Sequence, residues 1–287
     1  MSYDPPWLPP WQQGRGFTVP GIENVPDLHG DLHDPQLVVF FGGNQFMVTH
    51  ALMRAFQQQH PTVERVYFQT LPPGVMVEQI EQGALVIGNL RVTVRPDVLT
   101  AGQGRIRDLQ AQRGWFDRAL DYTSNKLAIM VPEGNPAGVG GLADLGRDAV
   151  RVAMPDPKTE GIAEKIKQAY RKAGGEALIE QIMETKRAAG TTRLTTIHHR
   201  QTPLWLLWGE ADAGPVWQTE VFFQQSLGHP LDGVTIPEAH NVSATYSAGR
   251  FKDAAHHEAA DAFLDFLVSD AGQAIYGQHG FLPAAGE

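Results

Sequence analysis

Leu37-Val-Val-Phe-Phe-Gly-Gly-Asn-Gln45 is the stretch that decides how this chain is read. Five apolar residues in a row, without alternation, describe a strand buried on both faces, as in a parallel sheet covered by helices. Gly42-Gly43-Asn44 then forms a tight turn, and Met47, Val48, Ala51, Leu52, Ala55 and Phe56 return at helical spacing over 47–59. A buried strand followed by a turn and a helix is the repeating piece of a parallel sheet built through right-handed crossovers.

Outward from that stretch the same grammar continues. Strands are expected over 63–68 and Leu85–Ile87, and a helix over 75–82 that stops at Gly83. Leu127-Ala-Ile-Met-Val131 is a further apolar strand ended by Pro132, and 150–154 is another, followed by the loop 155–161. Helices are expected over 162–172, ending at Gly174-Gly175, and over 176–187, 202–208, 256–268 and 271–276, with a strand at 213–217. Residues 1–36 read as an extended arm, because Pro5, Pro6, Pro9, Pro10, Pro20, Pro26 and Pro35 remove donors and break helices. Trp7, Trp11 and Phe17 would pin such a strap to the body, or alternatively to a partner.

The chain has 287 residues, and a single apolar core stops growing at roughly 250–300, so two lobes are expected. A net charge of -9 argues against non-specific nucleic-acid binding, which needs phosphates to be neutralised, yet leaves room for one locally basic cleft. The absence of cysteine excludes disulfides, thiolate metal sites and thiol nucleophiles. No apolar run approaches the roughly 20 residues of a membrane span. Met1-Ser-Tyr-Asp-Pro-Pro-Trp7 lacks the basic and apolar regions of a secretory leader. The chain therefore stays inside the cell, or its leader has been replaced by a start methionine. No phosphate loop, nucleophile elbow or H-E-x-x-H zinc signature is present, and Gly138-Val-Gly-Gly141 is a lone glycine cluster, so no enzyme is expected.

Five stretches together carry a resemblance: 39–45, 122–136, Gly209-Glu-Ala-Asp-Ala-Gly-Pro-Val-Trp217, 236–246 and 260–276. In this order and spacing the chain resembles the type II periplasmic substrate-binding proteins, nearest to the molybdate-binding proteins and their oxyanion- and carboxylate-binding relatives. The resemblance implies two Rossmann-like α/β lobes joined by two crossing strands, near 127–131 and 242–246. Lobe 1 would comprise 37–125 plus 243–287, and lobe 2 would comprise 126–242. It further implies a monomeric, periplasmic receptor that needs no cofactor and closes on a small ligand between its lobes. That receptor would hand its ligand to a membrane permease of an ABC transporter. The leader-replacement reading is preferred on this ground.

Candidate ligand residues follow the strand ends and helix starts, where free N–H groups and the helix dipole favour anions. Asn44 and Gln45 occupy the first turn, with Asn44 standing where the molybdate pattern has a hydroxyl residue. Thr70 belongs to Thr70-Leu-Pro-Pro-Gly74, whose prolines remove two donors from the pattern's Ser-rich turn. Arg91, or its neighbour Arg95, offers a guanidinium fork for a carboxylate or phosphonate. Thr159 and Gly161, with Lys158, precede a helix, and Glu160 is expected to face solvent. His199 and Arg200 fall on the lobe-2 ligand loop, and Trp217 replaces a hydrogen-bonding Tyr with a stacking face. Tyr246 is expected to be structural. Two alternatives remain open: a transition-metal receptor using His198 and His199, with or without His240, and a cytoplasmic ligand-sensing domain of the same fold.

Overall fold

The strand that opens the sequence argument is β2 (Leu37–Gly42), buried along its whole length. The computed structural model describes residues 27–158 and 160–284. Contact density divides the chain into two units, Met1–Ser124 with Thr245–Glu287 and Asn125–Ala244.

In the first unit β1 (Leu28–Gly30) precedes β2, followed by α1 (Thr49–Gln59), β3 (Val66–Leu71), α2 (Pro73–Gln82), β4 (Leu85–Ile87), β5 (Leu90–Val92), β6 (Val98–Gly102) and α3 (Gln103–Arg113). β2 lies parallel to β3 and β6, with Val39 opposite Phe68 and Val98. Continuous burial is what this arrangement demands, since helices cover both faces. β7 (Phe116–Pro132) begins in this unit and ends in the second. β12 (Ser243–Phe251) makes the return passage and pairs antiparallel with β6 through Tyr246 and Gly102. α8 (His257–Val268) and α9 (Asp270–Gln278) close the unit. Phe56 of α1 meets the Phe263 and Phe266 rings edge-on at 5.2 and 5.7 Å, and Phe41 meets Phe263 at 5.9 Å. These edge-to-face contacts lock α1, α8 and the sheet to one another.

The second unit contains the far half of β7, β8 (Val152–Met154), α4 (Ile162–Glu180), a π-helical turn at Gln181–Thr185, α5 (Lys186–Ala188), β9 (Thr192–Leu194), α6 (Gln201–Leu207), β10 (Gly214–Trp217), α7 (Gln218–Ser226) and β11 (Leu231–Thr235). β10 and β11 both pair antiparallel with β7, Trp217 opposite Leu127 and Leu231 opposite Pro132. Asn241 acts as a piece of strand: its side chain accepts from Leu127 N at 3.0 Å and donates to Leu127 O at 2.9 Å. This unit has its own apolar core around Ile129, Val131, Met154, Ile166 and Tyr170.

Several expectations shift. β1 pairs antiparallel with β3, Leu28 opposite Gln69, so the last residues of the expected arm are a sheet edge; residues 1–26, with Trp7, Trp11 and Phe17, lie outside the described residues. β3 runs to Leu71, three residues past the expected end, because Gln69 and Thr70 are buried polar residues that an apolar pattern passes over. β7 extends back to Phe116 through a stretch of mixed polarity that carries no strand pattern. α3, β5, β6, α7, β9 and β11 fall outside the expected elements. The break at Gly174-Gly175 is a kink: Gly175 has φ 70 and ψ -165, and helical structure resumes beyond it.

Asp97 ties β2, β6 and the start of α8 together. Its buried carboxylate accepts from Val38 N at 2.8 Å and from His256 N at 3.0 Å, and it pairs with His256 Nδ1 at 2.9 Å. Asp97→Ala leaves two backbone donors without this acceptor, so it is expected to lower stability by about 2–4 kcal/mol in urea unfolding. A loss under about 0.5 kcal/mol, the range of neutral surface changes, would remove Asp97 from this role.

Candidate functional site

The carboxyl ends of β2, β3 and β6 bring the first group of candidates to one side of the first unit, the position at which open α/β sheets bind ligands. Asn44 is 7% exposed, and its Nδ2 donates to the Tyr246 hydroxyl. Tyr246, expected to be structural, is therefore a direct neighbour of the candidate residue. Gln45 stands among internal partners. Its side chain is wholly buried, Nε2 donating to Tyr122 Oη at 2.6 Å and to Thr100 Oγ1 at 3.4 Å, while Oε1 accepts from Tyr276 Oη at 3.0 Å. Both N–H groups of this amide are answered by protein oxygens. Burial pushes Tyr122 up to about 12, against the hydrogen bonds from Thr100, Gln45 and Tyr276, so the phenol keeps its proton.

Thr70 is likewise committed, its buried hydroxyl donating to Asp27 Oδ1 at 2.9 Å. The neighbouring turn is poor in donors, because Pro72 caps α2 and Pro73 opens it. Arg91 is set apart from this group. It lies on the β4–β5 hairpin opposite Val86, and both are exposed, while Leu85 and Val92 take the inward positions. Alternation along a three-residue strand sends Arg91 to solvent. Arg95 forms an exposed ion pair with Asp253 at 2.9 Å.

In the second unit the loops before α4 and α6 meet the start of α7. Thr159 lies outside the described residues, and Gly161 stands exposed at the start of α4. Glu160, expected to face solvent, is only 6% exposed. Its Oε1 accepts from the Thr195 hydroxyl, and its Oε2 lies 3.4 Å from the His199 backbone N–H that donates to it. His199 Nδ1 lies 2.8 Å from Glu220 Oε1, the two side chains 13% and 3% exposed. Among the described residues only Asn135 and His199 are non-glycine residues with positive φ, His199 at 57. Holding a side-chain-bearing residue in this region takes over-determination, here from the two carboxylates on either side of it, and such strain clusters at functional loops. The His198 ring packs edge-on against His199 at 5.5 Å, and Arg200 caps α6, half-buried.

Burial drives the His199 imidazolium down, but the Glu220 charge and hydrogen bond, helped by Glu160 and opposed by Arg200, leave it above its ordinary value. Burial, with Glu160 repulsion, also holds the Glu220 carboxyl above its ordinary range, against the pull of His199. Trp217 is 5% exposed, belongs to the apolar core that includes Leu127 and Val131, and its backbone bonds to Glu220. β10 is buried throughout. The sequence reading missed Glu220 and Thr195. The only sign of Glu220 was an acid in the first turn of a helix that was itself not anticipated.

Comparison with known proteins places the chain. Residues 37–282 match the model of the bacterial extracellular solute-binding proteins. A sulfate-binding protein of Synechococcus elongatus is 25% identical over 191 residues, 61% of this chain and 53% of that protein, so the chain spans about half the length of that relative. The fold is shared with the periplasmic molybdate-binding protein of Azotobacter vinelandii, at TM-score 0.69 and 17% identity over 87% of this chain and 100% of the other. It is also shared with the sulfate-binding protein SubI of Mycobacterium tuberculosis, at TM-score 0.66 and 18% identity over 86% and 85%.

The His199 pair makes stability depend on pH. A folded value above the unfolded one, about 6.5, stabilises fully below that pH and is lost as pH rises through the folded value. Glu220, also raised, acts in the same sense but in the acidic window above about 4.3. Melting temperature is expected to fall as pH rises from about 6.5, and His199→Gln to flatten that slope. Equal slopes in wild type and variant would dissolve the pair.

Proposed function

This chain belongs to the bacterial extracellular solute-binding protein family, and on that premise we propose that it is the solute-capturing receptor of an ABC-type transporter. It binds and does not catalyse. Its ligand is a small anionic or polar solute of the oxyanion, small carboxylate or phosphonate class, and its partner is a membrane permease. Its place is the periplasm, in keeping with the family; no described helix is long and apolar enough to cross a membrane.

The observation that carries this reading is the loop before α6, where the Arg200 guanidinium side chain follows the left-handed, tightly held His199 at the start of the helix. Charge-assisted bonds from such groups are roughly twice as strong as neutral ones. The relatives named above bind sulfate and molybdate, which supports the anion class. The metal alternative is not preferred, because His199 Nδ1 already faces Glu220.

The first test is a thermal-shift screen of the purified chain against oxyanions, organic acids, phosphonates and divalent metals. A ligand at 100 times its dissociation constant adds about 2.7 kcal/mol of stability. Arg200→Ala is expected to weaken binding of the anion found by about 1.5–3 kcal/mol, read by titration calorimetry. Stabilisation by metals alone would overturn the anion reading, and unchanged affinity would take Arg200 out of the site.

A further inference from the structure

The segment that follows α9 does more than end a helix. Gly280 has φ 80, the left-handed conformation that suits glycine. Gly280 N donates to Gly277 O at 3.0 Å, and Phe281 N donates to Tyr276 O at 3.1 Å. This is the pairing of a Schellman turn, and its usual apolar contact is present: the Phe281 ring meets the Tyr276 ring edge-on at 5.3 Å. Beyond the turn the chain is anchored on β7. Leu282 and Ser124 exchange backbone bonds at 2.8 and 2.9 Å, the Thr123 hydroxyl donates to Leu282 O at 2.8 Å, and the Ser124 hydroxyl donates to Pro283 O at 2.7 Å. All of these residues belong to the first unit.

Phe281 stands between the two anchors. It is 4% exposed, and its ring meets Tyr246 of β12 edge-on at 6.3 Å. The Tyr246 hydroxyl in turn accepts from Asn44 Nδ2. On the helix side of the turn, Tyr276 Oη donates to Gln45 Oε1 at 3.0 Å. One segment therefore reaches both residues of the turn after β2, Gln45 through Tyr276 and Asn44 through the Phe281–Tyr246 pair. The last torsion of an asparagine side chain is broad and soft, so its partners set where the amide points. A phenol ring is itself held by what packs against it, and a binding group held loosely by its supporting side chains loses its geometry.

Resting on the reading of this chain as a solute receptor with Asn44 among its ligand residues, we propose that Phe281 is a positioning residue: through Tyr246 it orients the Asn44 amide, so solute affinity depends on a ring that acts at one remove.

The test titrates sodium sulfate, sodium molybdate, glycerate and methylphosphonate into the intact chain by calorimetry, and then the tightest of the four into Phe281→Ala, Tyr246→Phe and the double variant. Each single change is expected to weaken binding by about tenfold, and the double variant to bind no worse than the weaker single, because both act on one amide. The Asn44 side-chain N–H resonances of the ligand-free protein give a second readout, and Phe281→Ala is expected to move them toward their positions in Tyr246→Phe. A loss of packing alone would lower stability at Phe281 and leave the two effects on affinity additive. Additive losses, an unchanged affinity in Phe281→Ala, or Asn44 resonances that stay in place overturn the inference and leave the receptor reading standing. Binding of none of the four by the wild-type chain counts against the receptor reading, and the Asn44 resonances then decide the positioning alone. If Phe281→Ala does not fold, Phe281→Leu takes its place, since it keeps most of the apolar volume and removes the ring edge.

Discussion

An amide buried to zero exposure is tolerable only if every polar atom on it is answered, and Gln45 meets that condition through Tyr122, Tyr276 and Thr100. Those partners come from β7, α9 and β6, so one side chain fastens the turn after β2 to three other elements. Everything at the carboxyl end of the first sheet is referenced to that knot: Gly42 N donates to the same Thr100 hydroxyl at 3.1 Å, and Asn44 leans on Tyr246 of β12. The rigidity has a chemical consequence. Donors engaged in holding the turn are not offered to a solute, and the polarity presented there is set by what the framework leaves over.

The second unit solves a different problem. It buries two carboxylates beside a histidine and an arginine, which is tolerable because the opposite charges are within reach of one another. The Glu160–Thr195–His199–Glu220 contacts draw together three stretches far apart in sequence, the loops before α4 and α6 and the first turn of α7. The left-handed backbone of His199 is held from both sides by this arrangement.

How much of this was legible in the sequence depended on whether the signal was periodic. β2, α1 and α8 announce themselves by runs and stripes, and their observed bounds fall within two residues of expectation. The fold followed, because order and spacing of apolar strands constrain topology strongly. β7 was read only in its apolar half, since its first half owes its strand character to pairing and not to pattern. The candidate site was less legible for a sharper reason. Gln45, Thr70 and Trp217 have the chemistry to touch a solute, and their bonds and packing within the framework are not written in the sequence. Glu160 looked wrong for an anion site as a letter in a sequence. Its burial is explained when Thr195 and His199 are seen donating to it.

The Asp97–His256 contact joins residues 159 positions apart, with the whole of the second unit between them. The second unit is continuous in sequence and can fold as soon as it leaves the ribosome, whereas the first waits for β12, α8 and α9. Until then Phe41 and Phe56 lack Phe263, and the Gln45 amide lacks Tyr276. During synthesis the chain therefore passes through a state with one finished half and one open, apolar, parallel sheet. Non-local pairing of this kind is slow to form, and such a state is the one most exposed to aggregation.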